Sequence, residues 1–322
     1  MTQPHALHCN VEVGNQPGLI RQADFNNDGL NDLIVFDYQK PIATILLQVN
    51  PASVSTFCPS FRQYAMSTSY SIHQAAVGDM NQDGLVEIVT ASDSHVVDIY
   101  ANLGFDNQGR WIGFGNKIQI AYTTFPQSIE LKDLDGDQDA DIVYTEASLT
   151  EKLQVIENKG FHKNTRTGIY AWVYSDPITL ASDIPFLQAQ IADMNNDGIE
   201  DITVSTAYSD AGSLLGKDYN FNYIIPQPVQ VGVRPLVMKI SDFNHDSYLD
   251  FITLNSGDNS VTLYYNQSND PGHFDEFDRI DSPTYGDVAK FMELRDLNHD
   301  GYDDVIVGSW RSQNINILIY QP

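Results

Sequence analysis

Asp24-Phe25-Asn26-Asn27-Asp28-Gly29-Leu30-Asn31-Asp32 (DFNNDGLND) is the first of six copies of one nine-residue pattern. The others are Asp79–Glu87 (DMNQDGLVE), Asp133–Asp141 (DLDGDQDAD), Asp193–Asp201 (DMNNDGIED), Asp242–Asp250 (DFNHDSYLD) and Asp296–Asp304 (DLNHDGYDD). Each has an acid at position 1, Asn or Asp at 3, Asp at 5 and an acid at 9, followed by an apolar β-type run. Oxygens at positions 1, 3, 5 and 9, with the backbone carbonyl of position 7, suit a hard cation that takes six to eight oxygen ligands. The expected calcium ligands are therefore Asp24, Asn26, Asp28, Leu30 and Asp32; Asp79, Asn81, Asp83, Leu85 and Glu87; and Asp133, Asp135, Asp137, Asp139 and Asp141. In the later copies they are Asp193, Asn195, Asp197, Ile199 and Asp201; Asp242, Asn244, Asp246, Tyr248 and Asp250; and Asp296, Asn298, Asp300, Tyr302 and Asp304. Up to six calcium ions are expected.

An EF-hand loop would need a bidentate Glu at position 12 and flanking helices. Position 12 holds Val35, Thr90, Tyr144, Val204, Thr253 and Val307, none of which can close such a site. The runs after the acids (Leu33-Ile34-Val35-Phe36, Ile88-Val89-Thr90, Ile142-Val143-Tyr144, Ile202-Thr203-Val204, Phe251-Ile252-Thr253 and Val305-Ile306-Val307) are β-branched and aromatic, as in buried strands. The acid loop thus belongs to a β-hairpin. Position 6 needs a sharp turn. Gly29, Gly84, Gly198 and Gly301 suit it, whereas Gln138 and Ser247 predict strain or a different turn. His245 and His299, at position 4, read as solvated loop residues.

The copies start 55, 54, 60, 49 and 54 residues apart, a period that indicates a propeller or array. Four strands are expected per unit: one before the loop, one after it, then two more. The third strands are expected at Ala43–Val49, Val96–Ala101, Leu153–Glu157, Phe221–Ile225, Val261–Tyr265 and Ile315–Tyr320. Five fourth strands follow, at Phe61–Met66, Lys117–Ala121, Ala171–Tyr174, Val229–Val231 and Glu276–Ile280. The sixth is missing. Leu7–Val13 is expected to supply it and so complete the last blade, removing an open sheet edge. The reading is an all-β, six-bladed β-propeller with four-stranded blades, one domain over residues 1–322.

The loops resemble the FG-GAP, or VCBS, repeats of integrin alpha-subunit propellers and of secreted lectin-like and bacterial surface propellers. The Phe-Gly and Gly-Ala-Pro signatures of that family are mostly replaced, by Val77-Gly78 before one loop and by Thr90-Ala91-Ser92 or Gly308-Ser309-Trp310 after others. The resemblance implies calcium loops on one face and partner binding on the opposite one. Expected there are the aromatic and basic residues of the other connections, with Tyr38, Tyr285, Trp310 and Arg311 as the leading ligand-binding cluster. The segment Tyr208–Tyr219 (YSDAGSLLGKDY) reads as a long functional loop between the second and third strands of blade four.

Forty-three acids against 17 Lys and Arg give a formal charge of −26. Six divalent ions would offset about half of it. Nucleic acid and anionic lipid are poor partners for such a chain. There is no 18-residue apolar run, so direct membrane insertion is not expected. No signal peptide is visible in Met1–Asn10, but the calcium supply favours the outside of the cell or its surface. Cys9 and Cys58 either pair near the ring closure or stay as buried thiols, and Asn266-Gln267-Ser268 is a glycosylation sequon.

Neither a Gly-x-Ser-x-Gly elbow nor a His-Glu-x-x-His motif occurs. The expected function is a non-catalytic adhesion module that binds a glycan or a protein. The alternatives are a polysaccharide-processing, lyase-like enzyme or its accessory domain, and a structural module of a surface protein or filament.

Overall fold

The computed structural model describes residues 11–14, 16–50, 59–68, 70–92, 94–122, 126–146, 151–163, 170–224, 228–281, 289–309 and 315–320. All regular structure among them is β-strand, and the fold is that of a six-bladed β-propeller. Blade one consists of Pro17–Ala23, Asp32–Asp37, Ile42–Asn50 and Ser60–Ser67. Blade two consists of Ile72–Gly78, Glu87–Ser92, Val96–Tyr100 and Ile118–Tyr122. Blade three takes Pro126–Lys132, Asp141–Glu146, Lys152–Ile156 and Ile178–Ser182. Blade four has Phe186–Ala192, Asp201–Thr206 and Asp210–Gly216. Its outer edge is shared by the short strands Tyr223–Ile224 and Val229–Gln230. Blade five has Pro235–Ser241, Asp250–Asn255, Ser260–Asn266 and Phe274–Asp281. Blade six has Ala289–Arg295, Asp304–Ser309 and Ile315–Leu318.

One hairpin register recurs. The acid at position 9 is the first residue of strand two and faces the last residue of strand one. The pairs are Ala23↔Asp32, Gly78↔Glu87, Ala192↔Asp201, Ser241↔Asp250 and Arg295↔Asp304. Each of these strand-one residues also follows a bulge near the start of its strand. Strand two is buried along its whole length in blades two to five, which explains its uninterrupted apolar and Thr-rich sequence.

The chain divides into two compact units, Met1–Leu131 with Asn158–Asp176, and Lys132–Glu157 with Pro177–Pro322. Within each, the core lies between neighbouring blades. In the first unit Phe25, Ile34, Phe36 and Ile45 of blade one pack with Ile72, Ala75 and Ile88 of blade two. In the second, Leu134 packs with Phe186 and Ile202, Met194 with Met238 and Phe251, and Phe243 with Met292 and Val305. Phe25, Leu134, Met194 and Phe243 all occupy position 2 of their acid loops. The loop therefore contributes a plug to the interface with the next blade. Met80, the same position in blade two, is also fully buried.

Three sequence expectations change. The fourth strand of blade three is Ile178–Ser182. The expected Ala171–Tyr174 belongs to Tyr170–Tyr174, which pairs with Asn158–Lys163 in a separate two-stranded sheet. The third strand of blade four is Asp210–Gly216, inside the stretch expected to be a loop, and not Phe221–Ile225. Asn266 ends a buried strand, and its Nδ2 donates to Met194 O and Leu249 O, so the sequon is unavailable for glycosylation in the folded protein. Of the closing strand Leu7–Val13, residues 7–10 lie outside the described residues, as do Cys9 and Cys58. Val11–Val13 carry no strand pairing, and Glu12 O accepts from Gln63 Nε2 of blade one at 3.2 Å.

If position 2 is an interface plug, truncating it must open a cavity. Phe243→Ala, at a residue 1% exposed, should cost about 3–5 kcal/mol, measured by urea unfolding. A cost below about 1 kcal/mol would show that the plug carries no such weight.

Candidate functional site

The six acid loops share one set of hydrogen bonds. The position 1 carboxylate accepts the amide of position 6: Gly29 to Asp24 at 2.7 Å, Gly84 to Asp79 at 2.8 Å, Gln138 to Asp133 at 2.8 Å and Gly198 to Asp193 at 2.8 Å. Ser247 to Asp242 and Gly301 to Asp296 are both 3.0 Å. The position 5 carboxylate accepts the amide of position 7 at 2.8–2.9 Å in every loop. Its second oxygen accepts the Asn side-chain amide of position 3 in the five loops that have one.

Two residues in each loop take a left-handed backbone. Position 6 does so at φ 83, 81, 76, 85, 72 and 96 degrees, so Gln138 and Ser247 make the same turn as the glycines. Position 4 does so as well, at Asn27, Gln82, Gly136, Asn196, His245 and His299. The third loop has moved its glycine from position 6 to position 4.

The acid at position 9 is fully buried in all six loops. One oxygen accepts the amide of position 2: Phe25 to Asp32 at 2.9 Å, Met80 to Glu87 at 3.0 Å, Leu134 to Asp141 at 3.0 Å, Met194 to Asp201 at 2.8 Å, Phe243 to Asp250 at 2.9 Å and Leu297 to Asp304 at 2.9 Å. The other accepts an amide at the end of strand three or just past it: Gln48, Asn102, Gly216, Asn266 and Tyr320 in blades one, two, four, five and six. Burial pushes the Asp32, Glu87, Asp201 and Asp250 carboxyls up, and the acids at positions 5 and 1 of their loops push the same way. Asp32 reaches about 6, and Glu87, Asp201 and Asp250 about 7.

In the third loop Asp133, Asp135 and Asp141 offer carboxylate oxygens within 4.8 Å of one another. Burial, with Asp137 and Asp133 as close neighbours, raises Asp135 to about 6. Asp137 is not part of that convergence; its Oδ1 is engaged by the Asp139 amide. In the first loop Asn26 Oδ1 is buried with no hydrogen-bond partner. An all-oxygen donor set, a carboxylate convergence and an orphaned amide oxygen at position 3 together fit a hard cation.

Sequence reasoning missed two devices. Asn102 and Asn158, just past strand three, and Asn266, at its end, each donate Nδ2 to the position 2 carbonyl of another blade's loop: to Phe25 O at 2.9 Å, Met80 O at 2.8 Å and Met194 O at 2.5 Å. The Oδ1 atoms accept the amides of Gly104, Gly160 and Gly272. The repeated Asn-x-Gly at 102–104 and 158–160 was the visible signal. The second device links neighbouring loops in the second unit. A Cβ on Gly136 would come within 3.1 Å of the Tyr219 ring, and Tyr219 OH donates to Gly198 O at 3.3 Å. Asn196 Nδ2 donates to Ser247 O at 2.9 Å, and His245 stacks on Tyr302 at 4.0 Å between centroids. His245 is thus a contact residue between loops, not merely a solvated one.

Of the expected ligand-binding cluster, Tyr285, Trp310 and Arg311 lie outside the described residues. Tyr38 is 59% exposed just past strand two of blade one, at the strand end away from the acid loop, edge-on to His73.

Two measurements follow from this geometry. A carboxyl whose folded pKa is raised stabilises the protein below its unfolded pKa near 4 and loses that contribution as pH climbs through the folded value. Metal-stripped protein should therefore lose stability between pH 5 and pH 8 in urea unfolding, through Asp32, Glu87, Asp201 and Asp250; a flat profile contradicts this. Gln138→Gly should raise stability by up to about 1 kcal/mol, since relief of a left-handed side chain outweighs glycine's added chain entropy. A loss of stability would show that the Gln138 side chain makes a compensating contact.

A family model described as FG-GAP-like repeat matches residues 24–90, 79–144 and 242–307, more than half of the chain. No curated protein matches it in sequence. Among solved structures, BBS1N in complex with ARL6DN, soaked with lead, is similar at a TM-score of 0.56 and 12% identity, over 92% of this chain and 77% of that one. A humanized mutant of the Chaetomium thermophilum Polycomb Repressive Complex 2 bound to the inhibitor GSK126 is similar at a TM-score of 0.51 and 8% identity, over 92% and 66%. At such identities the likeness concerns the fold alone. The repeat match agrees with the one set of hydrogen bonds shared by the six acid loops, and the chain belongs to the FG-GAP-like repeat family.

Proposed function

We propose that the protein is a calcium-stabilised, non-catalytic binding module that works outside the cell or at its surface and engages a glycan or a protein. The FG-GAP propeller is generally a binding fold, which supports the coarser part of this reading. The observation that carries the calcium part is the convergence of Asp133, Asp135 and Asp141 within 4.8 Å. Three carboxylates at that spacing repel one another unless a cation lies among them.

The chain's own residues prepare the loop. The amides of positions 5, 6 and 7 hold the acids of positions 1 and 5 in place, and burial fixes position 9. Little side-chain freedom then remains to be lost on binding. A bound calcium would supply the positive charge that these oxygens lack. Ligand recognition falls to the strand ends away from the acid loops, where the turns differ in sequence from blade to blade and Tyr38 and Tyr208 are 59% and 65% exposed.

Extracellular calcium modules bind at roughly 0.1–1 mM. At about 2 mM calcium and a 0.1 mM dissociation constant, each site adds on the order of 1.8 kcal/mol. Removal of calcium by a chelator should lower the melting temperature by well over 5 degrees, and Asp133→Ala should reduce the bound calcium, counted by calorimetry, by one ion. An unchanged melting curve in chelator would remove the calcium assignment. A glycan array, read with and without chelator, tests the ligand class.

A further inference from the structure

In the second compact unit, a cleft of about 170 Å³ opens where blade four meets the outer strand of blade three. Its walls are Ala181, Ile184, Phe186, Val204, Leu214 and Pro228. Its polar residues, Thr206, Tyr208, Asp210 and Ser213, belong to strands two and three of blade four and the turn between them, and among the described residues no Lys, Arg or His lines it. The turn is the end of the blade away from the acid loop.

We propose that this cleft binds a small organic cation, a compact apolar body bearing a protonated amine. The volume is close to that of an engineered core cavity of about 150 Å³ that holds benzene, so the body is of roughly that size. A sugar ring would bring hydroxyls that aliphatic walls leave unpaired, which disfavours it. The head group is set by the mouth. The Asp210 carboxylate and the Tyr208 ring, 65% exposed, both line the cleft from the turn of blade four, and a carboxylate together with an aromatic ring favours a cation.

The mouth is held in place. Ala207 N donates to Pro185 O at 2.8 Å, Val231 N to Ser209 O at 2.8 Å, and Tyr208 N to Thr206 Oγ1 at 3.1 Å. Gln230 Nε2 donates to Asp210 Oδ1 and fixes the carboxylate. Gly212 lies in the wall, and a Cβ there would meet Pro228 Cα at 3.4 Å, an ordinary contact, so a larger side chain would be needed to fill the cleft. This site goes beyond the calcium-loop reading and does not depend on it.

The test uses the full chain in calcium at about 150 mM salt, where diffuse attraction to an acidic protein is screened. Three probes share one body: 2-phenylethylammonium, 2-phenylethanol and phenylacetate. Binding is followed by amide shifts in NMR. The ammonium should bind about tenfold more tightly than the alcohol, with shifts centred on Thr206, Tyr208 and Ala211, and phenylacetate should bind weakest. Asp210→Asn, at an exposed mouth, should reduce the preference for the ammonium to within about twofold while retaining the alcohol. Gly212→Val, a β-branched residue on a strand, should abolish all three. Equal affinity for ammonium and alcohol in the wild type overturns the proposal, as do shifts centred elsewhere. Should Gly212→Val fail to fold, the Asp210→Asn result decides alone. Loss of calcium dependence with the probe pattern intact would sink the calcium reading and leave this one standing.

Discussion

In five of the six acid loops the buried carboxylate at the ninth position receives two backbone amides, one from the loop's second residue and one from the region where strand three ends. That pair of hydrogen bonds ties three segments together: the loop entrance, the start of strand two, and the far end of strand three. Asp32, Glu87, Asp201, Asp250 and Asp304 each show both contacts. Two amide donors offset part of the cost of burying a carboxylate, yet Glu87, Asp201 and Asp250 are still raised to about 7. Burial therefore wins over hydrogen bonding in the protein's own electrostatics. The unmet remainder is what a cation in the same loop would relieve, so on the calcium proposal stability and metal affinity would rest on one group.

Blade packing uses the same hairpin. The amide of position 2 binds the carboxylate, its side chain plugs the next interface, and its carbonyl accepts the Asn102, Asn158 or Asn266 amide in three of the loops. A residue with all three roles cannot be displaced without disturbing loop, core and strap together. In the second unit the loops also touch one another through Tyr219, Asn196 and the His245–Tyr302 stack. Order in one loop therefore bears directly on its neighbour.

The acid pattern made the fold legible, because a nine-residue hairpin loop repeated six times leaves few other architectures. What it hid depended on pairing partners rather than composition. Tyr170–Tyr174 (YAWVY) is richer in aromatic residues than Ile178–Ser182 (ITLAS) and was the natural choice for the outer strand of blade three, yet it pairs with a neighbouring segment instead. Asp210–Gly216 reads as a loop because of its two glycines. The structure shows why Gly216 is there: a Cβ would come within 2.8 Å of Glu200 O, while the Gly216 amide reaches Asp201 at 2.7 Å. The glycine marks a close approach inside a strand, and close approaches cannot be seen in one sequence. The five buried position 2 plugs, Phe25, Met80, Leu134, Met194 and Phe243, were in view as apolar residues, but a pattern defined by its oxygens passes over them.

These features separate the two ends of each blade by physical demand. At the acid end, backbone amides hold the acids of positions 1, 5 and 9, so positions 1 and 5 are Asp in all six copies, position 9 is always an acid, and variation gathers at positions 2, 4, 6, 7 and 8. The other end carries no such demand. Its turns need only connect strands two and three, and they differ accordingly: Tyr38-Gln39-Lys40 in blade one, Ala207-Tyr208-Ser209 in blade four, Ser256-Gly257-Asp258-Asn259 in blade five. Asymmetry accumulates where it costs no stability. A ligand that distinguishes one blade from another would therefore be read at that end, and the apolar cleft lined by Tyr208 lies there, where blade four combines a wall glycine, a divided outer edge and the Asp210 carboxylate.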